Sequence, residues 1–357
     1  MLDLMKKAAV AAIVLGACGV TQAAVRLQGA GATFPNPIYQ KWVNEYQKQH
    51  PDVQIDYQSI GSGGGIKGII QKTVDFAGSD APMSKKEIAG AGGEMIHIPT
   101  VAGSVVPAYN LPGFDGDLKL SGEVLAEIYM GKVTSWNDPK IAALNEGAKL
   151  PATAITPAWR TDGSGTTFVL TNYLATQNEE YKGSVGAGKS VEWPVGQGGK
   201  GNEGVAAIVQ STPGALGYIE VNYATQNKIP FASVKNVAGK FVKASPETVA
   251  AAGASAVGQM KPGGLAVDIW DQKGENAYPI SAFTYVIVYK DLNNLGSAQE
   301  AQALVNFLNW ATTGAQAMAG EMDYAPLAPD VQKLVAQEIA GLTFKGQPVK
   351  ASTASAK

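Results

Sequence analysis

The sequence predicts an α/β protein of mainly parallel sheets flanked by helices, and three observations carry that prediction. Segments rich in β-branched and aromatic residues alternate with segments of helical spacing along most of the chain. Glycine-rich loops at residues 29–35, 61–65 and 162–166 recur where a strand pattern hands over to a helix pattern. In parallel sheets that is the carboxyl end of the strand, where ligands sit. The length of 357 residues, 45% of them hydrophobic, exceeds what one typical core holds, so two domains are expected.

Taken in order, the first residues read as an export signal. Lys6 and Lys7 precede an apolar run over 8–17, and Thr21-Gln22-Ala23 offers small residues at a cleavage site. The run is too short to span a bilayer. Cleavage after Ala23 removes one acid and two bases, which takes the net charge from −2 to −3. It also removes Cys18, the only cysteine, so no disulfide is expected. Leu15-Gly16-Ala17-Cys18 resembles a lipoprotein box, but the later small-residue site favours a soluble periplasmic chain over one lipid-anchored at Cys18. With 28 Lys and Arg against 30 Asp and Glu, the chain has no basic stripe to track a nucleic-acid backbone, so that class of partner is excluded.

The loop GAGATFP at 29–35 leads into Ile38, Tyr39, Trp42, Val43 and Tyr46 at helical spacing. Thr33 stands where a cap belongs, and Pro35 and Pro37 suit a first turn. Residues 53–57 alternate as a strand does and run into SIGSGGG at 59–65, with Ile66, Ile69 and Ile70 forming one face of a helix. A Walker phosphate loop ends Gly-Lys-Ser/Thr, whereas Lys67 is followed by Gly68, so these glycines argue for close backbone approach and not nucleotide hydrolysis. VDFAGSDAP at 74–82 reads as a short buried strand ending in a polar turn. Asp80 there either bonds nearby N–H groups or accepts a hydrogen bond inside a cleft. Further strands are expected at 96–99, 103–109, 155–159, 215–220 and 280–290, and helices at 122–129, 244–262, 298–310 and 329–342, before a frayed polar tail at 344–357. GQGGKGNEG at 196–204 is another glycine-rich entry to a helix, this one carrying Val205, Ile208 and Val209.

The stretch WRTDGSGTT at 159–167 holds the densest chemistry in the chain. A glycine-containing loop that opens a helix presents unpaired N–H groups and the positive end of the helix dipole, a seat for an anion. Ser164 and Thr166 add hydroxyl donors, and Arg160 adds a planar fork suited to paired oxygens, with Asp162 two residues on to hold it. The same residues would also serve an ordinary N-capping turn beside a surface arginine.

GAGATFP at 29–35, IGSGGG at 60–65, VDFAGSDAP at 74–82, DGSGTTF at 162–168, WPVGQGGKGNEGVAA at 193–207 and GALGYIE at 214–220 together resemble the PstS family, the periplasmic phosphate-binding proteins of the phosphate-specific ABC transporter. The motifs match in order through nearly the whole chain beyond the signal. The resemblance implies a two-lobed periplasmic binding protein of type II that closes over one phosphate ion as a monomer, with no cofactor and no metal, and delivers it to the permease and ATPase subunits of the transporter. It implies one lobe from 24–105 plus 284–357 and another from 106–283. It implies ligand groups at Ala32, Thr33, Phe34, Ser62 and Asp80 in the first, and at Arg160, Asp162, Ser164, Gly165 and Thr166 in the second. Relatives often carry a second serine after the one matching Ser62; here Gly63 stands there.

This residue set suits a dehydrated tetrahedral anion, and Asp80 is its informative member. A carboxylate repels an anion unless the anion brings a proton, which phosphate does near neutrality and sulfate does not. A secreted phosphatase or serine hydrolase would need a metal cluster or a nucleophile with its base. The chain has only His50, expected as a surface cap after a helix, and His97, expected to be structural. Ser164 lacks the G-x-S-x-G elbow because Asp162 takes the place of the first glycine. Binding, not catalysis, is therefore expected. The remaining alternative is another oxyanion or an organic phosphate, for which Trp136, Trp159 and Trp193 would have to line a larger pocket instead of packing in cores.

Overall fold

The computed structural model describes residues 24–352, so the expected signal peptide at 1–23, with Cys18, and the last five residues of the tail lie outside the described residues. The alternating patterns fold as strands β1 (Val25–Gly31), β2 (Val53–Ser59), β3 (Phe76–Ser79), β4 (Met95–Tyr109), β5 (Thr156–Arg160), β6 (Gln197–Gly199), β7 (Ala215–Glu220) and β8 (Ser281–Tyr289). Among the described residues these eight pair in one curled sheet in the order β2-β1-β3-β8-β4-β7-β5-β6.

At both ends of that sheet the pairing is parallel: β1 with β2 and β3, and β5 with β6 and β7. The crossovers there are helical, which brings each strand back in the same direction. In the middle, β8 runs antiparallel to β3 and β4, and β4 antiparallel to β7. The sheet is therefore mixed, because the strands at its centre join distant parts of the chain.

Two separate strands were expected at 96–99 and 103–109, but β4 is one strand of 15 residues. Thr100, Val101 and Ala102 are buried and carry the strand through, with the register against β8 shifting at Thr100 as in a β-bulge. The strand pairs with β8 from Ser104 opposite Ser281 to Met95 opposite Tyr289, with Thr100 left out of the ladder, and from Val105 onward it pairs with β7. A change of partner in mid-strand gives the sheet two halves with a common spine.

Helix α1 (Asn36–Gln49) buries the predicted face of Ile38, Tyr39, Trp42, Val43 and Tyr46, each large side chain contributing about 1.5–3 kcal/mol of transfer free energy. Its cap position is Pro35, not Thr33, so the Thr33 hydroxyl is not spent on capping. Helix α2 (Ser62–Ile70) starts directly after Gly61, and α3 (Lys85–Ala91) starts with a Ser84/Glu87 capping box. In the second half, α4 (Gly165–Gln177) follows β5 and α5 (Gly201–Ser211) follows β6. Helices α6 (Ala298–Thr312) and α7 (Pro329–Ala340) return the chain against β1 and β4. The helix expected over 244–262 is shorter, Pro246–Ala254 followed by a 3-10 turn at Val257–Gln259. The tail expected to fray instead pairs Thr343–Phe344 with Gln347–Pro348, and Lys350 accepts a hydrogen bond from Gln302.

Candidate functional site

Three loops of the first half converge at the carboxyl ends of β1, β2 and β3. Thr33 follows β1 and is buried, Ser62 opens α2 fully buried, and Asp80 follows β3 with 3% of its surface exposed. The Asp80 N–H donates to Ser62 Oγ at 3.2 Å, and Thr284 Oγ1 on β8 donates to Asp80 Oδ1 at 2.7 Å. Ala32 offers little to a ligand, because its N–H donates to the Gly78 carbonyl and its own carbonyl accepts from the Tyr57 hydroxyl. Phe34 is tied into the wall by the Tyr324 hydroxyl, which donates to its carbonyl at 2.6 Å.

The second half brings Arg160 from the end of β5 and Ser164, Gly165 and Thr166 from the start of α4. Arg160 is 4% exposed, an unusual place for a guanidinium without partners. Its Nε donates to Asp162 Oδ1 at 2.8 Å, its Nη2 to Asp162 Oδ2 at 2.5 Å and its Nη1 to Thr166 Oγ1 at 3.3 Å. Two of its five N–H donors remain for a ligand. The Tyr218 hydroxyl accepts from the Arg160 N–H at 3.0 Å and fixes the strand end that carries the fork. Ser164 caps α4 by accepting from the Thr167 N–H. Its own N–H is committed to the Lys189 carbonyl, so the donors left at this turn are the first N–H groups of α4 and the hydroxyls.

The two groups of loops are in contact. The Gly63 N–H donates to the Gly163 carbonyl at 2.8 Å, and Gly165 packs so close that a Cβ built on it would lie 2.4 Å from Asp80 Oδ2 and 2.5 Å from Ser62 Oγ. All ten residues singled out in the sequence thus meet in one region. The site has further members that the sequence reading did not single out. Asn202, fully buried at the start of α5, reaches Thr33 and Thr166; Tyr223 donates to the Thr33 carbonyl; Gly201 N–H donates to Asp162 Oδ1 at 3.0 Å. Gly201 and Asn202 lie in the glycine-rich run at 196–204, which carries no sign of what its asparagine touches, and Tyr223 lies outside that run.

Burial pushes the Asp80 carboxyl up to about 7, against the opposing hydrogen bond from Thr284 and the charge of Arg160. Burial also acts to raise Asp162, but the hydrogen bonds and charge of Arg160 outweigh it and hold that carboxyl below its usual range. One carboxylate is therefore locked in its charged form beside the guanidinium, while the other is poised between its two forms.

A family model for the PBP superfamily domain matches residues 19–314. The phosphate-binding protein PstS of Pasteurella multocida is 45% identical over 334 residues, covering 93% of this chain and 95% of that protein. The chain belongs to the phosphate-binding protein PstS family. The family member of Haemophilus influenzae is 44% identical and covers 92% of this chain and 96% of its own length. Among solved structures, a high-affinity periplasmic phosphate-binding protein named PfluDING superposes with a TM-score of 0.71 at 21% identity, covering 87% and 93% of the two chains. The phosphate-binding protein of Stenotrophomonas maltophilia does so with a TM-score of 0.66 at 21% identity over the same shares. The fold is that of a two-lobed periplasmic binding protein.

The residues considered for other chemistries lie elsewhere. His97 accepts from the Met83 N–H through Nε2 and is held neutral by burial, which lowers it to about 4. His50 ends α1 and stacks on Tyr46. Trp136 is buried and bonded to the Gly214 carbonyl, Trp159 to the Val195 carbonyl, and Trp193 packs on Tyr129 and Tyr218. No helix among the described residues is long and apolar enough to cross a membrane.

Proposed function

We propose that this protein captures inorganic phosphate in the periplasm and delivers it to the permease and ATPase of an ABC importer; the names of its curated relatives state phosphate binding for them. The observation that carries the reading is the single cluster made by Thr33, Ser62 and Asp80 from one half of the chain with Arg160, Ser164 and Thr166 from the other. Residues 24–105 with those from 284 onward act as one lobe and 106–283 as the other, hinging near the partner change of β4. Thr33, Phe34, Ser62, Arg160, Ser164, Gly165 and Thr166 donate to the ion, and Asp162 holds the arginine fork. Each charge-assisted hydrogen bond contributes about 1.5–3 kcal/mol, and closure strengthens them by removing water. Asp80 accepts the hydrogen bond of the ion's own P–OH. Sulfate, which has none, would face an unpaired like charge, so the site selects by penalising the wrong anion.

Calorimetric titration with phosphate, arsenate, sulfate and a phosphate monoester tests this. Tight binding of phosphate and arsenate with exclusion of sulfate and the ester is expected; preference for the ester or for sulfate would reassign the ligand. Turnover of a phosphomonoester that Ser164→Ala abolishes would replace binding with catalysis.

A further inference from the structure

Asn202 is fully buried, belongs to α5, and takes no part in the ligand set proposed above. Its side-chain amide nitrogen donates to Thr33 Oγ1 at 2.7 Å and to Thr166 Oγ1 at 3.3 Å, and its main-chain N–H donates to Thr33 Oγ1 at 3.2 Å. The Glu220 N–H donates to Asn202 Oδ1 at 2.9 Å, which decides which end of the amide carries the hydrogens. Thr33 belongs to the first half of the chain and Thr166 to the second, so one amide bridges the two.

A hydroxyl has one hydrogen to give and two lone pairs to receive with. Thr33 Oγ1 receives two hydrogens, both from Asn202. Thr166 Oγ1 receives one from Arg160 Nη1 and one from Asn202. With both lone pairs engaged, neither hydroxyl can turn round and accept; each has only its O–H left to offer. We infer that Asn202 is a positioning residue that makes the hydroxyls of Thr33 and Thr166 obligate donors to the bound oxyanion, one from each half of the chain. Left to themselves, hydroxyls rotate, and before an anion is bound they direct oxygen lone pairs into the site as well as hydrogens. The bridge removes that freedom before the ion arrives, and it leaves Asp80 as the side chain that receives the ion's hydrogen.

The inference rests on the phosphate reading, and a mutant cycle separates the two. Phosphate is titrated calorimetrically into the full chain, into Asn202→Ala, into the double variant Thr33→Ala/Thr166→Ala, and into the triple variant, with folding of each checked by circular dichroism and thermal melting. Asn202→Ala is expected to weaken phosphate binding about 10- to 100-fold in the parent and by less than about twofold where both hydroxyls are already gone. An equal loss in both backgrounds, or no loss in the parent, would overturn the inference while leaving phosphate binding intact. Absence of phosphate binding by the parent would overturn the functional reading and the inference with it. Should Asn202→Ala fail to fold, Asn202→Ser, too short to bridge both threonines, enters the same cycle with the same expected outcomes.

Discussion

The Gly63 N–H donates to the carbonyl of Gly163 at 2.8 Å, so the glycine turns of the two halves meet backbone against backbone. A Cβ on Gly63 would come within 3.2 Å of the Gly163 Cα, and one on Gly163 within 3.2 Å of the Gly63 Cα. Absence of side chains at these positions is what permits the approach, and the approach is what buries Asp80, Ser62 and Arg160 together.

Gly165 lets this be tested at the centre of the contact. As the first residue of α4 it has ordinary helical geometry, where alanine is the better helix former, so Gly165→Ala should not destabilise the unliganded protein. Its methyl would press on Asp80 Oδ2 and Ser62 Oγ, an overpacking cost of about 1–3 kcal/mol felt only when the halves close. Calorimetry should show phosphate affinity reduced about 10- to 100-fold with the thermal midpoint of the free protein unchanged or raised.

Asp80→Asn should relax discrimination between anions. Without a charged carboxylate facing the ligand, the amide can donate to sulfate, and sulfate should bind measurably where the parent excludes it. The parent should show the same relaxation on acidification. Because burial raises Asp80 to about 7, its neutral form grows as pH falls through that value and can donate to sulfate. Sulfate affinity of the parent is expected to rise about tenfold from pH 8 to pH 6, and that of Asp80→Asn to stay flat. A flat profile in both would remove Asp80 from the selectivity mechanism.

The same titration couples to closure in the free protein. A carboxyl raised by burial binds its proton more tightly in the closed form than when solvated. Closing therefore takes up protons in the window between the ordinary carboxylate value and about 7, and the closed form loses ground as pH rises through it. Small-angle scattering of unliganded protein should show a more compact particle at pH 5 than at pH 8. Asp80→Asn should lose that difference.

At the rim, Lys189 Nζ bridges both carboxylate oxygens of Glu87, at 2.7 and 2.9 Å, across the two halves. Both side chains are partly exposed, so the pair contributes about 0.2–1 kcal/mol and is screened by salt. Lys189→Met should speed phosphate release up to about fivefold at low ionic strength, and stopped-flow measurements at high salt should bring parent and variant together.

By itself the sequence determined the α/β class and the three glycine loops at strand ends, because strand alternation, helical spacing and glycine turns are local properties that a linear reading registers; the ten residues brought together in the cluster were legible only through the resemblance of its motifs to the PstS family. The sequence resolved neither the continuity of β4 nor the order of the sheet, since residues 100–102 carry no turn signal and only their neighbours on both sides say that the strand persists. Only the tertiary structure decided that Thr33 is not a cap, that Thr284 supports Asp80 from 204 residues away, and that Asn202 spans Thr33 and Thr166. Hydrogen bonds between residues so far apart in the chain are set by how the two halves of the sheet fold onto one another, and no local pattern of residues encodes that closeness.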